Sequence, residues 1–277
     1  MVFLNPPVLQ SSPPQPFNDF FRGIYEEIRF RLWHGPVFHR FLNRKYSFYT
    51  NLPPQYKLKF LRLVRDHYLY FEWVPRSMNL TRAMKAIICS GASQIVLFLP
   101  KQSLTFFERI IVYPDTYESV ITHKHHKGEV NPRLKAIVFS WTGIAEGLNR
   151  PDDGLNLLLH EFAHALWLEH KLTKSQYTVL DEGAIEKFEE LAAKEMQRMQ
   201  QSDDHFLRAY ALTNIEEFFA VAVENFFERS VQFQQHLPEI YNVLTHVFHL
   251  DPVKMNVKNA GLRIVDHLGL VRLPKNR

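Results

Sequence analysis

At 277 residues, with 46% hydrophobic and 22% charged side chains, the chain has the length of one large or two moderate globular domains. No run approaches the roughly 18–20 uninterrupted apolar residues that cross a bilayer, and a formal charge of +4 is too mild to indicate a nucleic-acid partner by itself. Cys89 is the only cysteine, which excludes an internal disulfide; with a start that lacks a basic n-region and continuous apolar h-region, it implies a reducing compartment, the cytoplasm.

In chain order, residues 1–16 hold five of the sixteen prolines and read as a flexible arm. Residues 17–277 are expected to form a single domain. Apolar spacing predicts an amphipathic helix over Phe17 to Trp33, a second over Pro54 to Tyr70 and a third around Ser77 to Leu99. The basic stretch from Arg44 to Arg65 interleaves Lys and Arg with aromatics, a composition suited to nucleic acid or anionic lipid. Without a nucleic-acid signature it reads as a solvated helix face whose Phe60, Leu61 and Val64 point inward. Short β-rich runs follow: "RIIVYP" (Arg109 to Pro114), "YESVIT" (Tyr117 to Thr122) and "KAIVFSW" (Lys135 to Trp141). From Asp152 onward the pattern is almost wholly helical. The fold class is therefore α+β, a small sheet followed by a helical half.

The stretch "LNLLLHEFAHALWLEH" (Leu155 to His170) holds a His-Glu-x-x-His core. Pro151 fits a first helical turn, with Asp152 or Asp153 near its N-cap. Residues four apart share a helix face, so His160 and His164 can point at one metal ion. Glu161 falls beside the ion, where it can take a proton from a metal-bound water. An oxyanion donor is also needed, and Tyr210 offers its phenol; the competing reading is a core tyrosine at a helix end. An edge strand from "GEVNPRLKAIVFSW", with Gly128 to Val130 near the rim, is suited to pair with an extended substrate backbone.

Three candidates compete for the third ligand. His170 has a familiar spacing, but the position where the chain must turn is Trp167, which resists the left-handed conformation. Glu182, or its neighbour Glu186, opens the segment "VLDEGAIEKF", whose other reading is an ordinary amphipathic helix. Glu217 begins the aromatic-apolar helix of "YALTNIEEFFAVAVENFFERS", after the helix-starting Thr213 and Asn214. With Phe218 and Phe219 behind it, Glu217 is poorly explained as solvent decoration. Glu224, further along, reads equally as a partner that orients His160 or His164 or as a solvated side chain. His123, His125 and His126 in "THKHHKGE" read as a polar loop between strands rather than a second metal site.

Taken together, "IIVYPDTYES", "AIVFSWTGIAEGLNRPDDGLNLLLHEFAHAL" and "YALTNIEEFFAVAVENFFERS" resemble the Mlc titration factor A family of zinc peptidases across about residues 90 to 252. The last segment is also similar to the catalytic domain of anthrax lethal factor. The resemblance implies a zincin-like fold and one zinc ion per chain, held by His160, His164 and Glu217 with Glu161 as general base and Tyr210 nearby. It implies a peptidase acting on peptides or proteins, with trimming from the amino end as one form. The alternative it implies is a scaffold that sequesters a transcription repressor. The chain departs from the family pattern after the metal helix, where "ALWLEHKL" stands in place of a stretch ending in aspartate, and from Glu169 to Glu182.

Overall fold

A computed structural model describes residues 30, 35–101, 103–118, 125–150, 152–173, 177–202 and 204–255. The proline-rich arm, and all of the expected helix over 17–33 except Phe30, lie outside these residues. The described chain begins with helices α1 (Gly35–Lys45), α2 (Ser47–Asn51) and α3 (Pro54–Tyr70). Pro54 supplies the preset φ of a first helical turn, where no backbone donor is needed. Phe60, Leu61 and Val64 are buried, while Lys57 and Lys59 set their ammonium groups over the rings of Tyr49 and Phe98. Lys57 and Lys59 of the basic stretch thus lie on the outer face of α3, while its Arg44 and Lys45 end α1.

Helix α4 (Arg82–Ile95) is shorter than its apolar run predicts, because the Thr81 side chain caps it by accepting from the Met84 amide. Between α3 and α4 lies a strand that the sequence reading lacks, β1 (Glu72–Pro75). Its ends are exposed and its middle half-buried, so it shows little alternation. Strands β2 (Arg109–Tyr113), β3 (Tyr117–Glu118), β4 (His125–His126), β5 (Gly128–Asn131) and β6 (Ala136–Ser140) follow. The main sheet has the order β1-β2-β6-β5, parallel except for β5, which runs antiparallel at the edge. Strands β3 and β4 make a separate antiparallel pair. His125 and His126 therefore sit in a strand rather than a loop; His123 lies outside the described residues.

Helix α5 (Trp141–Asn149) leaves β6 through a Ser140 cap. Helix α6 (Leu157–Thr173), which carries the His-Glu-x-x-His core, begins later than the sequence predicts. Gly154 takes a left-handed φ of +72°, which halts helical growth, and Asn156 rather than an aspartate serves as the cap. Helices α7 (Glu182–Gln201), α8 (Ile215–Glu228), α9 (Ser230–His236) and α10 (Pro238–Phe248) complete the helical half, with a 3-10 turn over Ala209–Leu212. Helix α8 packs along α6 and is buried continuously from Phe218 to Glu228. Trp167, Phe188, Phe219 and Phe248 interlock between these helices, with ring centroids 4.9 Å apart for Trp167–Phe219 and 5.3 Å for Phe188–Phe219. At the far end of α6, the buried Glu169 accepts backbone amides from Leu104, Thr105 and Phe106. Glu169 therefore ties α6 to the loop that leads into β2. The architecture is α+β and zincin-like: a small mixed sheet stacked on a helical half.

Candidate metal centre

Helix α6 turns His160 and His164 to one side, four residues and about one turn apart. Their Nε2 atoms approach to 3.1 Å, and each lies 3.2 Å from Glu217 Oε2 at the start of α8. Glu217 is held there by its helix cap: its backbone amide donates to Asn214 Oδ1 at 2.8 Å. Phe218 and Val221 anchor the next turn in the core. Three ligands at 2.0–2.1 Å from a tetrahedral ion would stand about 3.3–3.4 Å apart. Edges of 3.1–3.2 Å come close to that spacing, so two imidazoles and one carboxylate can hold a divalent metal ion. Among the described residues, His160, His164 and Glu217 are the group of three or more potential ligands close enough to do so.

The other two candidates for the third position lie elsewhere. His170 is ten residues beyond His160, so the 100° step of an uninterrupted helix carries it to another face. It is buried, with Nε2 3.7 Å from Glu182 Oε1. Helix α6 runs straight through Trp167, which packs in the core. Glu186 is one turn further along α7, outside the triad.

The electrostatics suit a cation. Burial opposes a charged ring at His160, but hydrogen bonds to Glu217 and Glu224 outweigh it and push its pKa up to about 10. Burial also acts to raise Glu217, yet its bonds to His160 and His164 hold the carboxyl far below the usual range. The Glu217 and Glu224 carboxylates on either side of the His160 ring supply negative charge that favours a metal ion there. Glu224 is 1% exposed and receives His160 Nδ1 at 2.7 Å, so it is a buried partner of the imidazole and not a solvated side chain. With Nδ1 engaged as donor, the Nε2 lone pair is left for a metal.

Three residues that the sequence reading missed complete this arrangement. Arg208 grips both oxygens of Glu224, at 2.7 and 3.0 Å, and also donates to the Gly154 carbonyl. Asn156 gives its backbone amide to Glu224 and its side-chain amide to Glu228 Oε1, while its own Oδ1 caps Leu159. Burial pushes the Glu228 carboxyl well up, with the Asn156 bond only partly opposing it. Asn156→Ala should therefore remove a cap and strand a buried carboxyl, costing about 2–3 kcal/mol. Thermal unfolding of the variant checks this; an unchanged melting temperature would remove Asn156 from the framework.

Glu161 is also buried, one step round α6 from His160, and burial raises its proton affinity. It lies against the edge strand so closely that a Cβ built on Gly128 would be 2.4 Å from Glu161 Oε1. Tyr210 is half exposed, at 51%, which rules out a core tyrosine; its hydroxyl donates to Glu217 Oε1 at 3.2 Å. Burial, followed by the Glu217 charge, raises the phenol to about 12, so it remains a proton donor at neutral pH. A cleft of about 730 Å³ opens beside these groups, lined by Gly128, Glu161, His160, Tyr210, Arg150 and Leu155 among others. His125 and His126 form part of its wall.

Residues 34–249 match the family described as glucose-regulated metallo-peptidase M90. The chain belongs to this metallopeptidase family. Curated relatives include the uncharacterized protein slr2042 of Synechocystis sp., 25% identical over 234 residues, covering 79% of this chain and 85% of that protein. Mlc titration factor A of Enterobacter sp. is 26% identical, covering 60% of this chain and 68% of its own length. Its namesake in Klebsiella pneumoniae (strain 342) is 25% identical, covering 64% and 71%. The M90 match spans α1 to α10 and so takes in the whole candidate site. Among the described residues no helix is long and apolar enough to cross a membrane.

Proposed function

We propose that this M90 member is a zinc-dependent peptidase in which His160, His164 and Glu217 hold the metal, Glu161 is the general base and Tyr210 steadies the developing oxyanion. The observation that carries this reading is the carboxylate of Glu161, buried beside the ligand triad and pressed against Gly128 of the substrate-side edge strand. Two imidazoles and one carboxylate are a zinc ligand set that leaves a coordination position open. A bound zinc ion supplies Lewis acidity toward water and the scissile carbonyl. Glu161 accepts a proton from the attacking water and delivers it to the leaving nitrogen. The Tyr210 hydroxyl donates to the carbonyl oxygen as charge builds on it. Strand β5 has one edge unpaired within the four-stranded sheet, and an extended peptide can add to it by main-chain hydrogen bonds. The substrate is thus a peptide or an extended segment of a protein, and trimming from the amino end is the form the family resemblance suggests. The lone, buried Cys89 fits a reducing compartment, the cytoplasm.

Zinc analysis of purified protein, followed by peptide hydrolysis with and without a chelator, tests the reading. About one zinc per chain and chelator-sensitive hydrolysis are expected. A second reading, a scaffold that sequesters a transcription repressor, is favoured by the relatives named for titrating Mlc. It predicts bound zinc with no hydrolysis of any peptide. The buried Glu161 favours the enzyme, because a scaffold has no use for a base at that position.

Gly128→Ala gives a sharper test of geometry. The added methyl must push the Glu161 carboxylate aside or displace β5, so hydrolysis should fall by at least about tenfold with zinc retained. Undiminished turnover in this variant would show that Glu161 does not act from the position it holds beside β5.

A further inference from the structure

We infer that Arg208 is a positioning residue for the metal centre, acting on His160 through Glu224; the inference rests on the zinc-peptidase reading above. Arg208 and Tyr210 belong to the same short segment between α7 and α8, and neither side chain is a metal ligand. The guanidinium of Arg208 meets the Glu224 carboxylate as a fork, Nη2 to Oε1 at 2.7 Å and Nη1 to Oε2 at 3.0 Å. Two parallel bonds fix the plane of a carboxylate, which a single bond does not.

That plane determines where His160 points. Glu224 Oε1 receives both Arg208 Nη2 and His160 Nδ1, the latter at 2.7 Å, and Oε2 receives Arg208 Nη1 and the Asn156 amide. Four donors thus converge on one carboxylate that is almost fully buried. Arg208 supplies two of the four and carries a permanent positive charge against it. A second tie runs from Nη1 to the Gly154 carbonyl, at 2.7 Å, in the turn that leads into α6. One side chain therefore joins the approach to the metal helix, the α8 carboxylate and the segment bearing Tyr210, over whose ring its Cζ stands at 5.7 Å. Without the fork, Glu224 keeps only the Asn156 amide and His160 itself, and the carboxylate that aims Nε2 of the imidazole at the metal position is held less firmly.

This role predicts a loss of metal affinity without loss of a ligand. Arg208→Ala should weaken zinc binding by about 10–100-fold, the range for removing a group behind a metal ligand. Arg208→Lys keeps the charge but not the fork and should fall between wild type and Arg208→Ala. The experiment is a competitive zinc titration of wild type, Arg208→Ala and Arg208→Lys, paired with visible spectra of the cobalt(II)-substituted proteins and thermal melts of each. Weaker zinc binding with altered cobalt d–d bands in both variants supports the inference, and a merely structural arginine would leave the bands of folded protein unchanged. Wild-type zinc affinity and cobalt spectrum in Arg208→Lys overturn it even where Arg208→Ala fails to fold. Wild-type protein that binds no zinc overturns the metal reading and this inference with it. Zinc binding by wild type with unaltered variants overturns the inference alone.

Discussion

Glu161→Gln is expected to bind zinc like the wild type, to melt at nearly the same temperature and to lose nearly all peptide hydrolysis. The amide occupies the same volume, so the contact with Gly128 and the packing of α6 persist. What disappears is a group that can accept the proton of the attacking water, since an amide oxygen is not a base at neutral pH. General-base assistance contributes about 10²–10⁴-fold to rate, and a loss of that order is the expected result. Parallel measurements of kcat, zinc content and melting temperature check it. Hydrolysis at wild-type rate with zinc still present would overturn Glu161 as the base. The contrast with Gly128→Ala is informative: Glu161→Gln removes the chemistry at a fixed position, whereas Gly128→Ala moves the chemistry from its position. Both should leave the metal in place, and the two together separate proton transfer from geometry.

Much of this arrangement is legible in the sequence because its signals are local. The His160–His164 spacing and the apolar run around it define one helix face within a single element. Asn214 followed by Glu217 at the third position of a buried helix is a start signal that also brings a carboxylate to the core. The Gly128–Val130 segment reads as strand, although the need for glycine there comes from the approach of Glu161 and cannot be read from the strand itself. What escapes is what depends on distant partners. Asn156 and Glu224 are 68 positions apart, and Arg208 lies 16 positions before Glu224. No periodicity links such residues; the packing of α6 against α8 brings them together. Asn156 caps the helix, whereas the sequence reading puts the cap at Asp152 or Asp153. The left-handed Gly154 is what moves the helix start past them. Strand β1 was missed for a different reason, since a four-residue edge strand with exposed ends has almost no alternation to read.

The remaining large effect concerns Glu217, the proposed ligand that would close the site from a second helix. Glu217 Oε2 stands 3.2 Å from both imidazole nitrogens although 53 positions separate it from His164. Helix α7 runs out and the chain returns through the 3-10 turn, so that α8 starts beside α6 and brings Glu217 to the paired histidines. On the proposed assignment Glu217→Ala removes one of three ligands and should reduce zinc affinity by orders of magnitude, to the level of the His160→Ala and His164→Ala variants. That exceeds the roughly 10–100-fold expected for losing a group behind a ligand, and the difference separates Glu217 from Glu224 and Arg208. The fold should tolerate the change, because Asn214 still caps α8 through the backbone amide of residue 217. Glu182→Ala, Glu186→Ala and His170→Ala serve as the parallel series. The first and third break the pair between the buried His170 of α6 and the partly exposed Glu182 of α7, with nitrogen and oxygen 3.7 Å apart, and should affect stability more than metal binding. Zinc titration of all four variants decides the assignment. Loss confined to Glu217→Ala places the third ligand on α8, whereas normal binding by Glu217→Ala with loss in Glu182→Ala or His170→Ala would move it to α7 or the far end of α6.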